Sequence, residues 1–354
     1  MSKKIDILNS YNKTKNPEEP VSELEKEWLN DIKNELPNRK YVGNCTKEFC
    51  NKLVDIFGDN EFNRIQFIYF PDTREHPITD QQVEKEIRRL CKTTLNWKTQ
   101  SLAIRKFHKS MIYANVDGSL SPYDGWQEIK TDKEKFLDFY RNRLRCSDWF
   151  KEHDNWQYLL KGYVPDFIYG CGLSTSRRFP SVTYFKPHLA KYLIEKYFLP
   201  SGIGHIIDPF SGYSGRMLGA ITTGMSYTGI DLCKSSIEES RELLNFATPI
   251  IKEETDNDVR CYLINDDMTN YFGEYDYLLA CPPYGNIEQW PGVESIGRSC
   301  DEWIDICISR FKCKKYVFVV DNKIEKYKPN IAEELVNTSH FGHNSEYVIL
   351  IDKN

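Results

Sequence analysis

The 354-residue chain lacks any long apolar run. No stretch approaches the ~18 uninterrupted apolar residues that cross a bilayer, so no membrane span is expected. It has 11 cysteines, at 45, 50, 91, 146, 171, 233, 261, 281, 300, 307 and 313, but no CxxC pair and no Cys–His spacing that would surround zinc. An odd number of cysteines scattered through apolar segments is also a poor disulfide framework, and the opening MSKKIDILNSYNK lacks the apolar core of a secretory leader. These absences predict a soluble, intracellular protein, in the cytoplasm or nucleoid of a host cell, with no metal site. Basic charge is not in excess either: 47 Lys and Arg face 52 Asp and Glu, a net charge of −5. Any affinity for nucleic acid must therefore come from a local patch. The chain has no Gly-Lys-Ser/Thr of a phosphate loop, no dinucleotide GxGxxG and no internal repeat.

Hydrophobic residues make up 40% of the chain and aromatic residues 14%, which is ample for packed cores. The length suits two domains, since single cores tend to stop growing near about 250–300 residues. Residues 1–40 read as a partly mobile segment whose one helical stretch is Val21 to Leu36. Residues 41–175 read as an α+β or mostly helical domain of nucleic-acid recognition, with a strand-like run from Ile65 to Tyr69 and helices at Gln82 to Cys91 and Lys133 to Leu144. The turn-forming stretch Gly170 to Ser181 reads as the linker.

From 176 to 354 the pattern changes. Helix LAKYLIEKYF, strand HIID, helix GRMLGAITTG, strand SYTGID, helix SIEESRELLNF, strands CYLIND and YDYLLA, helix DEWIDICISRF and strand YVFVVD follow in turn. Strands alternating with helices of about ten residues predict a parallel α/β sheet with helices on both faces. KPNIAEELVNT then reads as a helix, and EYVILID as a last strand able to pair antiparallel.

Four features carry chemistry. In IIDPFSGYSGR an apolar strand ends at Asp208, and Gly212 and Gly215 allow a loop to press against a ligand at the carboxyl edge of the sheet; a plain strand–turn–helix is the bland alternative. Asp231 ends the second strand, where a carboxylate can accept from both ribose hydroxyls, or can merely cap the next helix. Asp266 or Asp267 ends the third strand and can accept from an adenine amino group, or sit as a turn residue. Most specific is Cys281-Pro282-Pro283-Tyr284, directly after strand YDYLLA. Two prolines remove two backbone donors and leave carbonyl oxygens as acceptors. Acceptors on the hydrogens of an exocyclic amine favour a pyramidal nitrogen whose lone pair can attack a methyl group. Tyr284 offers a face on which an extruded base can stack.

In this order, the glycine motif DPFSGYSG, Asp231, the third acidic site and the Pro-Pro-Tyr motif resemble the S-adenosyl-L-methionine-dependent amino-methyltransferases of DNA, which modify N6 of adenine or N4 of cytosine. The likeness covers about half of the chain. It implies a Rossmann-like class I methyltransferase sheet, base flipping, a catalytic Cys281, Pro282, Pro283 and Tyr284, and a cofactor held by Asp208, Phe210, Gly212, Gly215, Asp231, Asp266 and Asp267. Tyr184 to Tyr197 resembles the helix that precedes the first strand in that family and helps hold the methionine part, which adds Lys186. Cys281 departs from the family's Asp, Asn or Ser, and a neutral thiol accepts hydrogen bonds feebly. The thiol reads as a serine surrogate, as a thiolate, or as the mark of a weak or inert cofactor-binding subunit. The base stays open, with adenine slightly ahead.

Between Lys85 and Lys109 eight basic residues face one acid, Glu86. Arg88, Arg89, Lys92, Lys98, Arg105 and Lys106 from this cluster, with Arg178 near the linker, are the candidate phosphate contacts to a duplex; a solvated helix face is the bland reading. Gly285 after Pro-Pro-Tyr suits an RNA guanine-N2 methyltransferase as the alternative, less favoured because no RNA-binding module is evident. A protein-glutamine methyltransferase is more distant and would leave the basic cluster without a purpose.

Overall fold

A computed structural model describes residues 47–70, 78–93, 100–116, 118–146, 169, 179, 182–256, 260–283, 288–289, 297–321, 323–336 and 345–353. The expectations for residues 1–40, Tyr284, Lys98 and Arg178 fall outside them. The chain divides into two units: Met1–His76 with Leu120–Pro180, and Pro77–Ser119 with Ser181–Asn354. Segment 77–119, assigned from sequence to the N-terminal domain, instead belongs with the sheet.

In the first unit the described elements are helices: α1 (Lys47–Ile65), α4 (Pro122–Thr131) and α5 (Lys133–Cys146). Pro122 opens α4 at a position that needs no backbone donor, and Ser121 accepts from the Asp124 N–H at 3.0 Å. The strand expected at Ile65 to Tyr69 does not form. α1 runs through Ile65, which is buried, while Phe67 and Tyr69 are exposed and pair with no strand among the described residues. Glu61 is buried here, ion-paired to Arg64 at 3.0 Å and accepting from the Tyr169 hydroxyl.

The second unit holds α2 (Asp80–Lys92), α3 (Leu102–Phe107), α6 (Pro187–Leu193, continued by a wider turn to Phe198), α7 (Gly215–Ile221), α8 (Lys234–Thr255) and α9 (Cys300–Arg310). Its sheet has seven strands: β1 (His205–Asp208), β2 (Ser226–Asp231), β3 (Cys261–Asn265), β4 (Tyr277–Ala280), β5 (Lys315–Val320), β6 (Ile331–Val336) and β7 (Ser345–Asp352). Their order is β6-β7-β5-β4-β1-β2-β3, parallel from β3 through β5, with β7 antiparallel to both its neighbours. This is the Rossmann-like sheet with helices on both faces expected from the sequence.

Side chains alternate between two cores. Ile206, Tyr227, Leu279, Val317 and Val319 pack on the face covered by α2, α3, α6, α7 and α8, whereas Ile207, Ile230, Leu278, Phe318 and Val320 pack with α9. Parallel strands buried on both faces read as unbroken apolar runs, which is why they were visible in the sequence. β6 is the exception. The helix expected at KPNIAEELVNT is a single tight turn at Lys328–Asn330 followed by a strand. Pairing with β7 outweighs the helix preference of Ala-Glu-Glu-Leu, and Glu333 is fixed by the Tyr197 hydroxyl at 2.9 Å, the Tyr192 hydroxyl at 3.0 Å and Lys196 at 2.7 Å. No helix among the described residues is long and apolar enough to cross a membrane.

Candidate functional site

The strand register decides which corners meet. Asp208 pairs with Gly229, Asp231 with Asn265, Ile207 with Leu278, and Ala280 with Phe318. The loop after Asp208, the carboxylate of Asp231, the turn at Asp266 and the Cys281-Pro282-Pro283 corner therefore leave the sheet at one edge, and the glycine loop and the diproline corner follow neighbouring strands. Cys281 is half-buried, Pro282 buried and Pro283 exposed.

Within the loop, the two glycines have different duties. Gly212 has φ +53°, and a Cβ there would meet only the Phe210 carbonyl oxygen, at 3.8 Å, so its outer side faces open space. Its N–H donates to Asp231 Oδ2 at 2.8 Å, and its carbonyl accepts from the Ser236 hydroxyl at 2.5 Å. Gly215 instead lies against the chain ahead of α6: a Cβ would sit 1.6 Å from the Phe185 carbonyl oxygen. This contact brings the Phe185–Lys186 segment to the loop, and Lys186, directly before α6, is buried.

Asp208 is fully buried and its carboxylate is occupied by protein donors. Oδ1 accepts from the Phe210 N–H at 3.2 Å, and Oδ2 from Arg216 Nε at 2.7 Å and the Tyr227 hydroxyl at 2.6 Å. Asp208 thus shapes the loop through Arg216, which also donates to the Phe210 carbonyl. Burial opposes the charge on Arg216, but Asp208 outweighs it and keeps the guanidinium protonated, with a smaller electrostatic contribution from Cys281. Burial and the Asp208 charge hold the Tyr227 hydroxyl well above its ordinary pKa. Arg216 and Tyr227 carried no role in the sequence reading; the Arg that directly follows the last loop glycine was the available signal.

Asp231 accepts from two backbone donors, Gly212 N–H and Cys233 N–H (2.9 Å), yet burial still pushes its carboxyl above the ordinary 3.8. Asp266 is held below that value by the Asn270 amide at 2.9 Å, the Asp267 N–H at 2.7 Å and Tyr271 at 3.1 Å. Asp267 caps the short turn that follows by accepting from the Thr269 N–H at 2.8 Å. The Phe210 ring stands edge-on to Trp303, with centroids 5.1 Å apart, and Arg298 lies over the Trp303 ring at 4.8 Å.

Part of the basic cluster is spent within the unit. Arg88 meets Glu84 at 2.8 Å, Glu253 at 2.7 Å and Glu254 at 2.6 Å, and Lys92 meets Glu254 at 2.7 Å. These pairs dock α2 on α8. Lys106 binds Asp80 and the Ile78 carbonyl. Arg105 is half-buried, and Arg89 is exposed. Among the described residues no group of His, Cys, Asp and Glu is arranged to hold a metal ion.

No family model and no curated protein sequence matches the chain. Solved structures resemble it distantly. A Listeria monocytogenes protein assigned to the class I S-adenosylmethionine-dependent methyltransferases is 12% identical, with a TM-score of 0.40 over 77% of this chain and 88% of its own. An S-adenosylmethionine-dependent methyltransferase from Agrobacterium tumefaciens is 14% identical, with a TM-score of 0.35 over 50% and 65%. The T. thermophilus 16S rRNA N2 G1207 methyltransferase, solved with AdoMet and guanosine, is 13% identical, with a TM-score of 0.34 over 49% and 44%.

Proposed function

We propose that this unit transfers a methyl group from S-adenosylmethionine to the exocyclic amino group of a base in DNA, N6 of adenine or N4 of cytosine. The observation that carries the reading is the shared edge: the open side of Gly212, the Asp231 carboxylate and the Cys281-Pro282-Pro283 corner all lie at the same ends of β1, β2 and β4.

The residues fit the cofactor in kind. A loop whose glycine has empty space where a Cβ would stand admits a ligand against its backbone. An acidic side chain after the second strand of such a sheet suits a ribose diol. Asp231 would hold the ribose, Gly212 and Phe210 the central part, Asp266 or Asp267 the adenine amino group, and Lys186 the methionine end. When bound, the cofactor supplies an electrophilic methyl group on a sulfonium. The chain itself supplies acceptors: Pro282 lacks a backbone N–H, and the carbonyl groups of this corner accept the hydrogens of the target amine and localise its lone pair. Tyr284, outside the described residues, is assigned base stacking on the motif alone.

Incubating the full chain with S-adenosylmethionine labelled on its methyl group, together with DNA or RNA, tests the proposal. Label recovered in DNA as N6-methyladenine or N4-methylcytosine is the expected result. Label only in RNA would move the substrate to RNA; label in neither, with cofactor binding intact, would refute the catalytic reading.

A further inference from the structure

The glycine loop contains a second residue in the left-handed region, and it is not a glycine: Ser214 has φ +65°. A side chain in that conformation costs about 1–2 kcal/mol, so something must hold it there. Two contacts hold its buried hydroxyl. Ser214 Oγ is hydrogen-bonded to Ser240 Oγ on α8 at 2.6 Å and to His108 Nε2 at 2.8 Å. The far side of the His108 ring is fixed in turn. Nδ1 faces Glu239 Oε2 at 3.3 Å, an ion-pair contact without hydrogen-bond alignment, and the ring meets Tyr213 edge-on at 5.2 Å. Glu239 is itself pinned by the Ser110 N–H at 2.8 Å and the Ser110 hydroxyl at 2.6 Å. Burial raises the Glu239 carboxyl, but the adjacent His108 and the hydrogen bonds from Ser110 bring it below its ordinary value, so it stands as an anion beside the imidazole.

Glu239, His108 and Ser214 have the connectivity of a nucleophile–base–acid triad. All but the glutamate are nonetheless almost wholly buried, with His108 at 3% and Ser214 at 1% exposure, and the serine hydroxyl is already committed to Ser240. A nucleophile must reach its substrate; this one is enclosed. The network instead joins three parts of the chain: the end of segment 77–119, helix α8, and the loop that opens α7. Ser236 and Ser240, one turn apart on α8, grip the loop at the Gly212 carbonyl and the Ser214 hydroxyl.

We infer that His108 is a positioning residue of the cofactor loop: it locks Ser214 in its left-handed conformation and so presets the bend at Gly212 for S-adenosylmethionine. This rests on the methyltransferase reading, and the experiment separates the two. S-adenosylmethionine affinity is measured by calorimetry on the full chain, with KM and kcat alongside. His108→Ala is expected to weaken binding about tenfold, as release of one left-handed residue implies, and to raise KM for the cofactor more than it lowers kcat. His108→Gln, whose amide end falls near the Nε2 position and can donate or accept, is expected to bind within about twofold of wild type, because a hydrogen bond to Ser214 survives. Adding Ser214→Gly to His108→Ala is expected to restore most of the affinity, since glycine adopts positive φ without a brace. A general loss of folding would not be rescued in this way. His108→Ala binding as tightly as wild type, or a double variant as weak as His108→Ala, would overturn the inference alone. A wild-type chain that binds no S-adenosylmethionine would overturn the methyltransferase reading and the inference with it.

Discussion

Gly212 and Gly215 stand three residues apart in one loop, yet alanine should fail at each for opposite reasons. At Gly215 the new Cβ would lie 1.6 Å from the Phe185 carbonyl oxygen and 2.6 Å from its carbon. Both partners are backbone, so no rotamer relieves the clash, and α7 must separate from the chain before α6 by more than 1 Å. Gly219, one turn further, has the same intolerance, because its Cβ would come within 2.5 Å of the Ala190 Cβ and 2.8 Å of the Lys191 nitrogen. Overpacking costs about 1–3 kcal/mol, and a clash between two backbones belongs at or beyond the upper end. At Gly212 nothing but the Phe210 oxygen at 3.8 Å meets the Cβ. Only the left-handed strain of about 1–2 kcal/mol remains, and loss of unfolded-state freedom returns roughly half of it. Gly215→Ala should therefore lower the thermal midpoint by roughly 6–12 °C and Gly212→Ala by about 2–3 °C, at some 2–4 °C per kcal/mol. S-adenosylmethionine affinity should fall in the reverse order, because the Gly212 methyl enters the space assigned to the cofactor. Melting curves and calorimetry on the two variants measure both. If Gly212→Ala proved the less stable, or bound the cofactor as well as wild type, the assignment of the open side of this loop would be wrong.

Asp208→Asn should destabilise the unit by about 3–5 kcal/mol in urea titrations, because Arg216 and the Tyr227 hydroxyl would lose a buried acceptor charge; a shift under 1 kcal/mol would contradict the pairing. The raised Asp231 carboxyl predicts a pH effect on binding. Ribose hydroxyls donate to the ionised form, so affinity should be full at neutral pH and decline as pH falls toward a midpoint above 3.8, and Asp231→Asn should bind weakly with no such slope. Arg88→Ala should loosen α2 from α8 and lower the melting temperature in low salt, while leaving DNA affinity in place. Exposed Arg89→Ala should instead weaken DNA binding and reduce its salt slope by about 1, and the opposite pattern in filter-binding titrations would return Arg88 to the nucleic-acid surface.

The parallel strands and the ends of β1 to β4 were legible because each is a short apolar run closed by a chemically marked residue: Asp208, Asp231, Asp266 or Cys281. What escaped was the part written in long-range pairs. Counted within residues 85–109, the basic cluster has one acid; folded, Arg88 meets Glu253 and Glu254, more than 160 positions away. The same distance hid the affiliation of segment 77–119, whose Leu90 and Cys91 carbonyls accept from buried Lys191 and whose His108 reaches Ser214. β6 escaped for another reason. Its alternation carries Glu at 333 and 334 on an edge strand, where charge is tolerated and periodicity is weak.

Asp208 shows why a motif residue and a ligand contact are not the same thing. The resemblance places an acid at the end of the first strand beside the cofactor, but three donors already saturate its carboxylate. Its effect must travel through Arg216, which binds the Phe210 carbonyl and interacts electrostatically with Cys281 on the neighbouring strand. The acid and the loop are thereby one mechanical unit: a change at Asp208 displaces Phe210, and Phe210 in turn contacts Trp303, under Arg298. On the proposed reading this bears on the departure at Cys281. A neutral thiol adds little as an acceptor, so the target amine depends on the carbonyl oxygens of the corner, whose direction is fixed by prolines and whose neighbour is held by a buried ion pair.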